Sequence, residues 1–328
     1  MTMTVPSGGG RIDGGDDVPL SFRSTPTATD RVFFITLIAA SAVVLLAIGA
    51  ILYFLVTRSV PAVRYAGVSM ITSENWAATG KQHFGLLGAL WGSFMIAAIA
   101  LIVGVPVSLA AALLINEYAP AWSKRAMTAI VDLLAVLPSL LYGLWGVKVL
   151  GQEIYGFTEW LSVHANFVPL FREPDGRFGN SIFQCGIVVG VMIIPIMTSV
   201  SREVMSQAPR EACEAALALG GTKWGMVTDV ILPFARNGIL GAALLALGRA
   251  LGETVAVLLI LSQTNVVHWS ILGPGGGQIP ALIANAFESV NHTAKSALTV
   301  AGLLLFIAIL VVNFAARRIV GTRRIPVQ

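Results

Sequence analysis

Glu214-Ala215-Ala216-Leu217-Ala218-Leu219-Gly220-Gly221, followed by Val230-Ile231-Leu232-Pro233, stands between two long apolar runs. Ala215, Ala216 and Ala218 are small, strong helix formers. A short helix carrying them has a smooth face that fits a groove on a partner. Gly220-Gly221 ends that helix and permits a sharp reversal. Pro233 cannot continue a preceding helix but suits the first turn of the next. The expected unit is helix, hinge, helix, with Glu214 able to pair with a basic group or to cap local backbone. With apolar runs on both sides, the hairpin reads as an extramembrane turn between two membrane spans.

The composition agrees. The 328 residues are 56% hydrophobic and only 12% charged, with a mean hydropathy of +0.80. A soluble domain of this length needs far more charge to cover its surface. Long unbroken apolar runs, in place of short alternating ones, argue against a transmembrane barrel. The expected fold class is therefore an all-α polytopic membrane protein with six transmembrane helices. These are Val32 to Val56, Leu86 to Ile115, Met127 to Leu150, Ser181 to Val200, Gly238 to Ser262 and Ser296 to Ala316. Each reaches the roughly 20 residues that a span requires. Pro106, Pro138 and Pro195 fall inside spans and are read as kinks, tolerated where neighbours satisfy the freed carbonyls.

Residues 1–31 are rich in Gly, Asp, Ser, Thr and Pro and are expected to be a disordered tail. No cleaved signal peptide is expected, because the first apolar run of about 25 residues exceeds an h-region of roughly 7–15. Residues 32–316 form the transmembrane domain, with 201–237 as its large hairpin loop, and 317–328 form a basic tail.

Orientation follows from Lys and Arg. Segments 1–31, 116–126, 201–237 and 317–328 hold thirteen of them, and the opposite set of loops holds six. This places both termini and the Glu214 hairpin in the cytoplasm. The net charge of +4 comes from these scattered residues and indicates no nucleic-acid partner. Cys185 falls in a span and Cys213 in the hairpin loop, so no disulfide is expected. His83, His164, His268 and His292 lack metal-ligand spacing, and no metal site is expected. Gly273-Pro274-Gly275-Gly276-Gly277 lacks the Gly-Lys-Ser/Thr of a P-loop and reads as a flexible outer loop. No other stretch fits a P-loop, so no cofactor is expected on this chain.

Four charged residues fall within spans. Lys148 is expected to snorkel to an interface, and Asp132 to be solvated at one. Arg249 and Glu253 are four apart, so on one helix they share a face. They read either as a structural ion pair or as a pore-facing site, in which the forked donors of Arg249 suit oxyanion oxygens.

The hairpin resembles the coupling loop of binding-protein-dependent ABC importer permeases. The match is Glu-Ala-Ala, three residues, Gly, nine residues, Ile, one residue, Leu-Pro, with Val230 replacing Ile. Gly221 stands where Ala is more usual. Further segments are similar to the permeases of high-affinity phosphate (Pst) importers. They are Arg249-Ala250-Leu251-Gly252-Glu253-Thr254, Leu137-Pro138-Ser139 with Tyr142-Gly143, and Glu117-Tyr118-Ala119-Pro120. Pro195-Ile196-Met197, leading to Ser201-Arg202-Glu203 and Pro209, and Phe84-Gly85 with Trp91-Gly92-Ser93 belong with them. The polar N-terminal tail and the Phe84-Gly85 region are closer to the PstC type than to PstA.

The resemblance implies the type I ABC importer permease fold in a bacterial inner membrane. It implies Glu214, Ala215, Ala216, Gly220, Leu232 and Pro233 as the contact to a cytoplasmic ATPase dimer, which holds ATP and Mg. Arg249, Glu253 and Thr254 are implied for the substrate pathway of inorganic phosphate. A paralogous PstA-like permease, an external phosphate-binding protein and membrane lipid complete the implied partners. Rival readings are a permease for sulfate, molybdate or phosphonate, a secondary carrier, and a subunit that reports phosphate status. The chain itself is expected not to be an enzyme.

Overall fold

The computed structural model describes residues 28–74, 76–77, 83–264, 266–288 and 290–321. Residues 1–27 of the expected tail and 322–328 of the basic tail lie outside them. Helix α1, Ala28–Ala66, starts inside the segment read as a tail. It crosses the boundary between two compact units, residues 1–51 and 52–328. The described residues of the first unit, 28–51, are wholly helical, and all that follows concerns the second.

After α1 come a short helix α2, Ser69–Thr72, and a two-stranded hairpin, β1 Trp76–Ala77 and β2 His83–Phe84. Its strands are antiparallel, with Trp76 opposite Phe84. Helix α3, Leu87–Leu113, ends in a π-turn, Leu114–Tyr118. Helices α4, Ala121–Val136, and α5, Ser139–Trp145, follow. A second π-turn, Gly146–Leu150, joins α5 to α6, Gly151–His164. Then come α7, Ile182–Ser206, α8, Arg210–Ala218, and α9, Lys223–Met226. A third π-turn, Val227–Ile231, runs into α10, Leu232–Gly252. The chain closes with α11, Val255–Ile260, α12, Ile279–Ala286, and α13, His292–Gly321.

Five helical stretches are long and apolar enough to cross a membrane, and α4 with α5–α6 makes a sixth if that bent pair is one span. The chain is thus a multi-pass membrane protein. Pro106 and Pro195 leave α3 and α7 continuous. Pro138 does not act as a mere kink: α4 and the stretch Ser139–His164 meet at 91°. The physical cause is the clash of the proline ring with the preceding residue. Leu137 is driven to ψ 132 and Pro138 sits at ψ 138, so the helical ladder stops there.

Helix α7 is the spine. Its core residues Cys185, Val188, Val189, Ile193 and Met197 are fully buried. Small residues bring α3 close against it, as membrane helix interfaces require. A Cβ on Gly186 would lie 2.6 Å from Ile99, and one on Gly104 would lie 2.8 Å from Ile193. Ser108 Oγ donates to Gly104 O (2.6 Å) and reaches Ile194 O on α7 (3.2 Å), while Thr198 Oγ1 donates to Ser108 O (3.4 Å).

The glycine run 273–277 is not the flexible outer loop expected from its composition. Gly273, Gly275, Gly276 and Gly277 are buried. Gly276 O accepts from Thr264 N (2.9 Å), and Gly275 N donates to Asn180 O (3.2 Å). A Cβ on Gly277 would lie 2.8 Å from Ala89 Cα, and one on Gly92 would overlap the Gly277 carbonyl oxygen. The glycines are there so that this loop can lie directly on α3.

That contact is testable by thermal unfolding of the purified protein in detergent. Gly92→Ala must displace backbone and is expected to cost about 1–3 kcal/mol. Gly156→Ala, on α6 with open space around the added methyl, is expected to leave stability unchanged or raise it by about 0.5–1 kcal/mol.

Candidate functional site

The Glu214 hairpin forms the helix, hinge, helix that its spacing predicts. Pro209 precedes α8, and Gly220 adopts φ +86, a conformation that a side chain would strain. Leu219 N, Gly220 N and Gly221 N close the last turn of α8 on Ala215 O, Leu217 O and Ala216 O (3.1, 3.0 and 3.1 Å). Thr222 Oγ1 then accepts from Gly225 N (3.0 Å), capping α9. Pro233 occupies the start of α10.

Helix α8 has no fully buried residue. Cys213 and Ala216, three apart, turn inward and rest on a small core of Ala112, Met205, Met226, Val227, Ile231 and Ala235, with Leu232 at its edge. This core is separate from the large one around α7. Burial pushes the Cys213 thiol up from its ordinary value, and the carboxylates of Glu117 and Glu214 add to the effect.

Glu214, Ala215, Leu217 and Ala218 face outward. Leu219 is 90% exposed and Trp224 58% exposed, so the hairpin carries a projecting apolar ridge. The sequence reading missed Leu219 and Trp224. Their signal was two large apolar side chains at a turn otherwise built of Gly, Thr and Lys.

The second set of residues lies where α10 stops. The run read as one span from Gly238 to Ser262 is two elements: the long helix begins at Lys223 and ends at Gly252, and α11 starts at Val255. Glu253 is extended, φ −68 and ψ 123. Arg249 and Glu253 therefore do not share a helix face, and they form no ion pair in this structure. The reason is local: Glu253 is buried, and its Oε1 accepts the Ala256 N–H (3.1 Å), capping α11. Its main-chain carbonyl accepts from the fully buried Gln278 Nε2 (2.7 Å). Thr254 Oγ1 donates to Gly252 O (3.3 Å). The backbone groups freed by the break thus find side-chain partners, as an interrupted membrane helix demands.

Arg249, in the last turn of α10, is exposed and lies on the wall of an open groove of about 1270 Å³. The groove runs between α10 and α13, with Ile196 of α7 at its base. Asn237, Gly241, Leu244, Gly248 and Arg249 line one side, and Leu310, Asn313, Phe314 and Arg317 the other. Most of the lining is apolar, and its cations stand apart at Arg249 and Arg317. Chemically, the arrangement offers the forked N–H donors of Arg249 on the wall of an open, mostly apolar groove. Lys148 and Asp132 are both exposed and take no part in the groove. Among the described residues, no three His, Cys, Asp or Glu side chains are placed to share a metal ion.

Comparison with known proteins narrows what such a chain is. Residues 104–325 match the family model described as "Binding-protein-dependent transport system inner membrane component". The chain is 38% identical over 298 residues to "Phosphate transport system permease protein PstC 2" of Mycobacterium tuberculosis, covering 89% of this chain and 92% of the relative. It is 40% identical over 276 residues to "Phosphate transport system permease protein PstC" of Mycobacterium leprae, covering 82% and 86%. A crystal structure of a bacterial ABC transporter involved in alginate import contains a chain of the same fold. The TM-score is 0.51 at 16% identity, over 88% of this chain and 99% of that one. With its helical bundle, extramembrane hairpin and interrupted α10, this chain belongs to the family of binding-protein-dependent transport system inner membrane components.

Proposed function

We infer that this chain is the permease subunit of an ATP-driven phosphate importer and forms half of its translocation pathway. The observation that carries the reading is the Glu214–Gly220 hairpin: an exposed helix with an apolar ridge, held on its own small core. Its sequence spacing is that of a coupling loop, and the relatives named above are phosphate transport permeases.

In this reading a cytoplasmic ATPase dimer holds ATP and Mg and grips α8. Glu214, Ala215 and Ala218 meet its surface. Ala216 and Leu232 tie the hairpin to the bundle, and Gly220 and Pro233 fix the direction of the return. The thirteen Lys and Arg on the hairpin's side of the chain support a cytoplasmic location for the hairpin and both termini. An external phosphate-binding protein delivers the anion to the opposite end. A paralogous, PstA-like permease covers the open side of the groove, with lipid around the pair in a bacterial inner membrane.

Arg249 is the residue placed to attract phosphate. A carboxylate in an ion pair with it would cancel much of that attraction, but Glu253 spends its carboxylate on the Ala256 N–H. Glu253 and Thr254 act on the pathway by holding the break that presents Arg249. The Arg249 guanidinium is a weak, single-sided site, which suits passage over retention.

Radiolabelled phosphate uptake at micromolar concentration, in cells with and without the chain, tests the cargo. Uptake is expected to vanish without the chain and on ATP depletion. Loss of sulfate or molybdate uptake instead would reassign the cargo, and uptake that survives ATP depletion would point to a secondary carrier. Replacing Glu214 and Gly220 together by Lys and Val is expected to abolish uptake while the protein stays in the membrane. Normal uptake in that double variant would end the coupling assignment. Arg249→Gln is expected to lower the uptake rate by about tenfold, the loss of one charge-assisted anion contact, with assembly unchanged. A parallel fall in assembled complex would assign Arg249 to packing.

A further inference from the structure

Helix α8 is poorly anchored. With no fully buried residue, it is attached to the bundle through the half-buried Cys213 and Ala216. A push on such a helix is easily absorbed by slippage, so the load needs a second path into the spans. One exists at the far end of the hairpin.

Helix α3 closes in a π-turn, and Ala119 N donates back to Leu114 O (2.7 Å). A helix end leaves carbonyls without helical partners, and cations complement them. Here two lysines take them. Lys124 Nζ donates to Asn116 O (2.5 Å), within the same corner. Lys223 Nζ comes from the hairpin and donates to Glu117 O. Its ammonium also lies 5.0 Å from the Tyr118 ring centroid, within cation–π range. Asn116 Nδ2 donates to Arg202 O (2.7 Å), so the same turn is bonded to α7.

Lys223 is held at the start of α9 by the Thr222 cap. Immediately after α9 comes the π-turn Val227–Ile231. The tied body therefore lies between two π-turns, segments of wider helical geometry frequently found at functional sites.

We propose that Lys223 is a positioning residue that latches the coupling hairpin to the α3–α4 corner, so that a displacement of α8 is delivered to α3 and α7 together. The path runs from α8 through Gly220 to Lys223 at the start of α9, then to Glu117, Tyr118 and Asn116, and through Arg202 into α7. The latch rests on the coupling role proposed for α8. It adds that docking of the ATPase and delivery of its stroke are separable, with Lys223 serving only the second.

The test uses the assembled transporter, with its ATPase subunits and binding protein, in proteoliposomes. Phosphate moved and ATP hydrolysed are measured together for Lys223→Ala, Lys223→Arg and Tyr118→Leu. For Lys223→Ala, the ATPase subunits remain bound and hydrolysis stays within about twofold, while phosphate moved per ATP falls about tenfold, a typical coupling free energy. Lys223→Arg keeps most of the ratio, since guanidinium also donates and stacks. Tyr118→Leu gives an intermediate fall, and combining it with Lys223→Ala adds nothing further.

An unchanged ratio in Lys223→Ala overturns the latch. So does a fall of hydrolysis in parallel with transport, or loss of the ATPase subunits, either of which makes Lys223 a docking or folding residue. If the Lys223→Ala chain does not accumulate in the membrane at all, an unchanged ratio in Tyr118→Leu overturns the latch on its own. Failure of the latch is distinguishable from failure of the coupling reading: the Glu214 and Gly220 variant remains transport-dead in the first case and transports normally in the second.

Discussion

In hydrocarbon, a backbone N–H or C=O without a partner costs several kcal/mol, and no water is at hand to repair it. This chain nevertheless interrupts its helices, and each interruption is matched by a specific remedy. At Gly252 the freed groups are met by the Glu253 carboxylate, the Thr254 hydroxyl and the Gln278 amide. At Pro138 the helix loses a donor that proline never had, and Tyr142 reaches across the bend to donate to Leu134 O (2.9 Å). The loop that supplies Gln278 is itself seated by glycines, and Ser93 Oγ on α3 accepts from Ile279 N (3.0 Å) just beyond it. The shape of the bundle follows from where these substitutes for the helical ladder are available.

The same economy separates two regions of packing. Around α7 the core is large, dense and joined by small residues, so it behaves as a rigid block. At the hairpin end the core is a handful of side chains beneath a helix that buries nothing fully. A small core joined to a large one by π-turns and polar bonds is suited to move as a body without disturbing the block. Side-chain bonds onto main-chain carbonyls, such as those at Asn116 and Glu117, suit such a joint because they hold direction without requiring a deep pocket.

Much of this was legible in the residues. Apolar run length gave the spans, and Gly220 gave the turn because it acts through its own backbone, whereas the helix restarts at Lys223 and Pro233 lies within it. The break at Gly252 was hidden, since an apolar run continues from Val255 to Leu261 and a carboxylate four residues after an arginine mimics a helical pair. What decides it is a partner, Gln278, 25 residues away. The glycine run 273–277 read as flexible because composition reports what a chain can do alone, whereas burial against Ala89 depends on α3. The bond from Lys223 to Glu117 joins residues 106 apart and leaves no local mark. Pairings of this kind are properties of the fold, and the candidate site is built largely from them.

Arg249 shows where the two kinds of information meet. Its identity as a charge within an apolar run is plain from sequence, and a charge facing lipid near mid-membrane costs about 2.5–3.5 kcal/mol even on the most lenient scales. A buried ion pair would lower that cost, but its only carboxylate neighbour in sequence is committed to the end of α11. Snorkelling is a remedy only near a helix end at the interface, and α10 continues into a packed, looped segment beyond Arg249. The remaining remedy is water, and water requires a wall opposite α10 and α13 to enclose it. On the reading proposed above, an open apolar groove with an arginine on its rim is one half of a conduit, and the second half would present a surface that leaves that guanidinium hydrated and available to an anion.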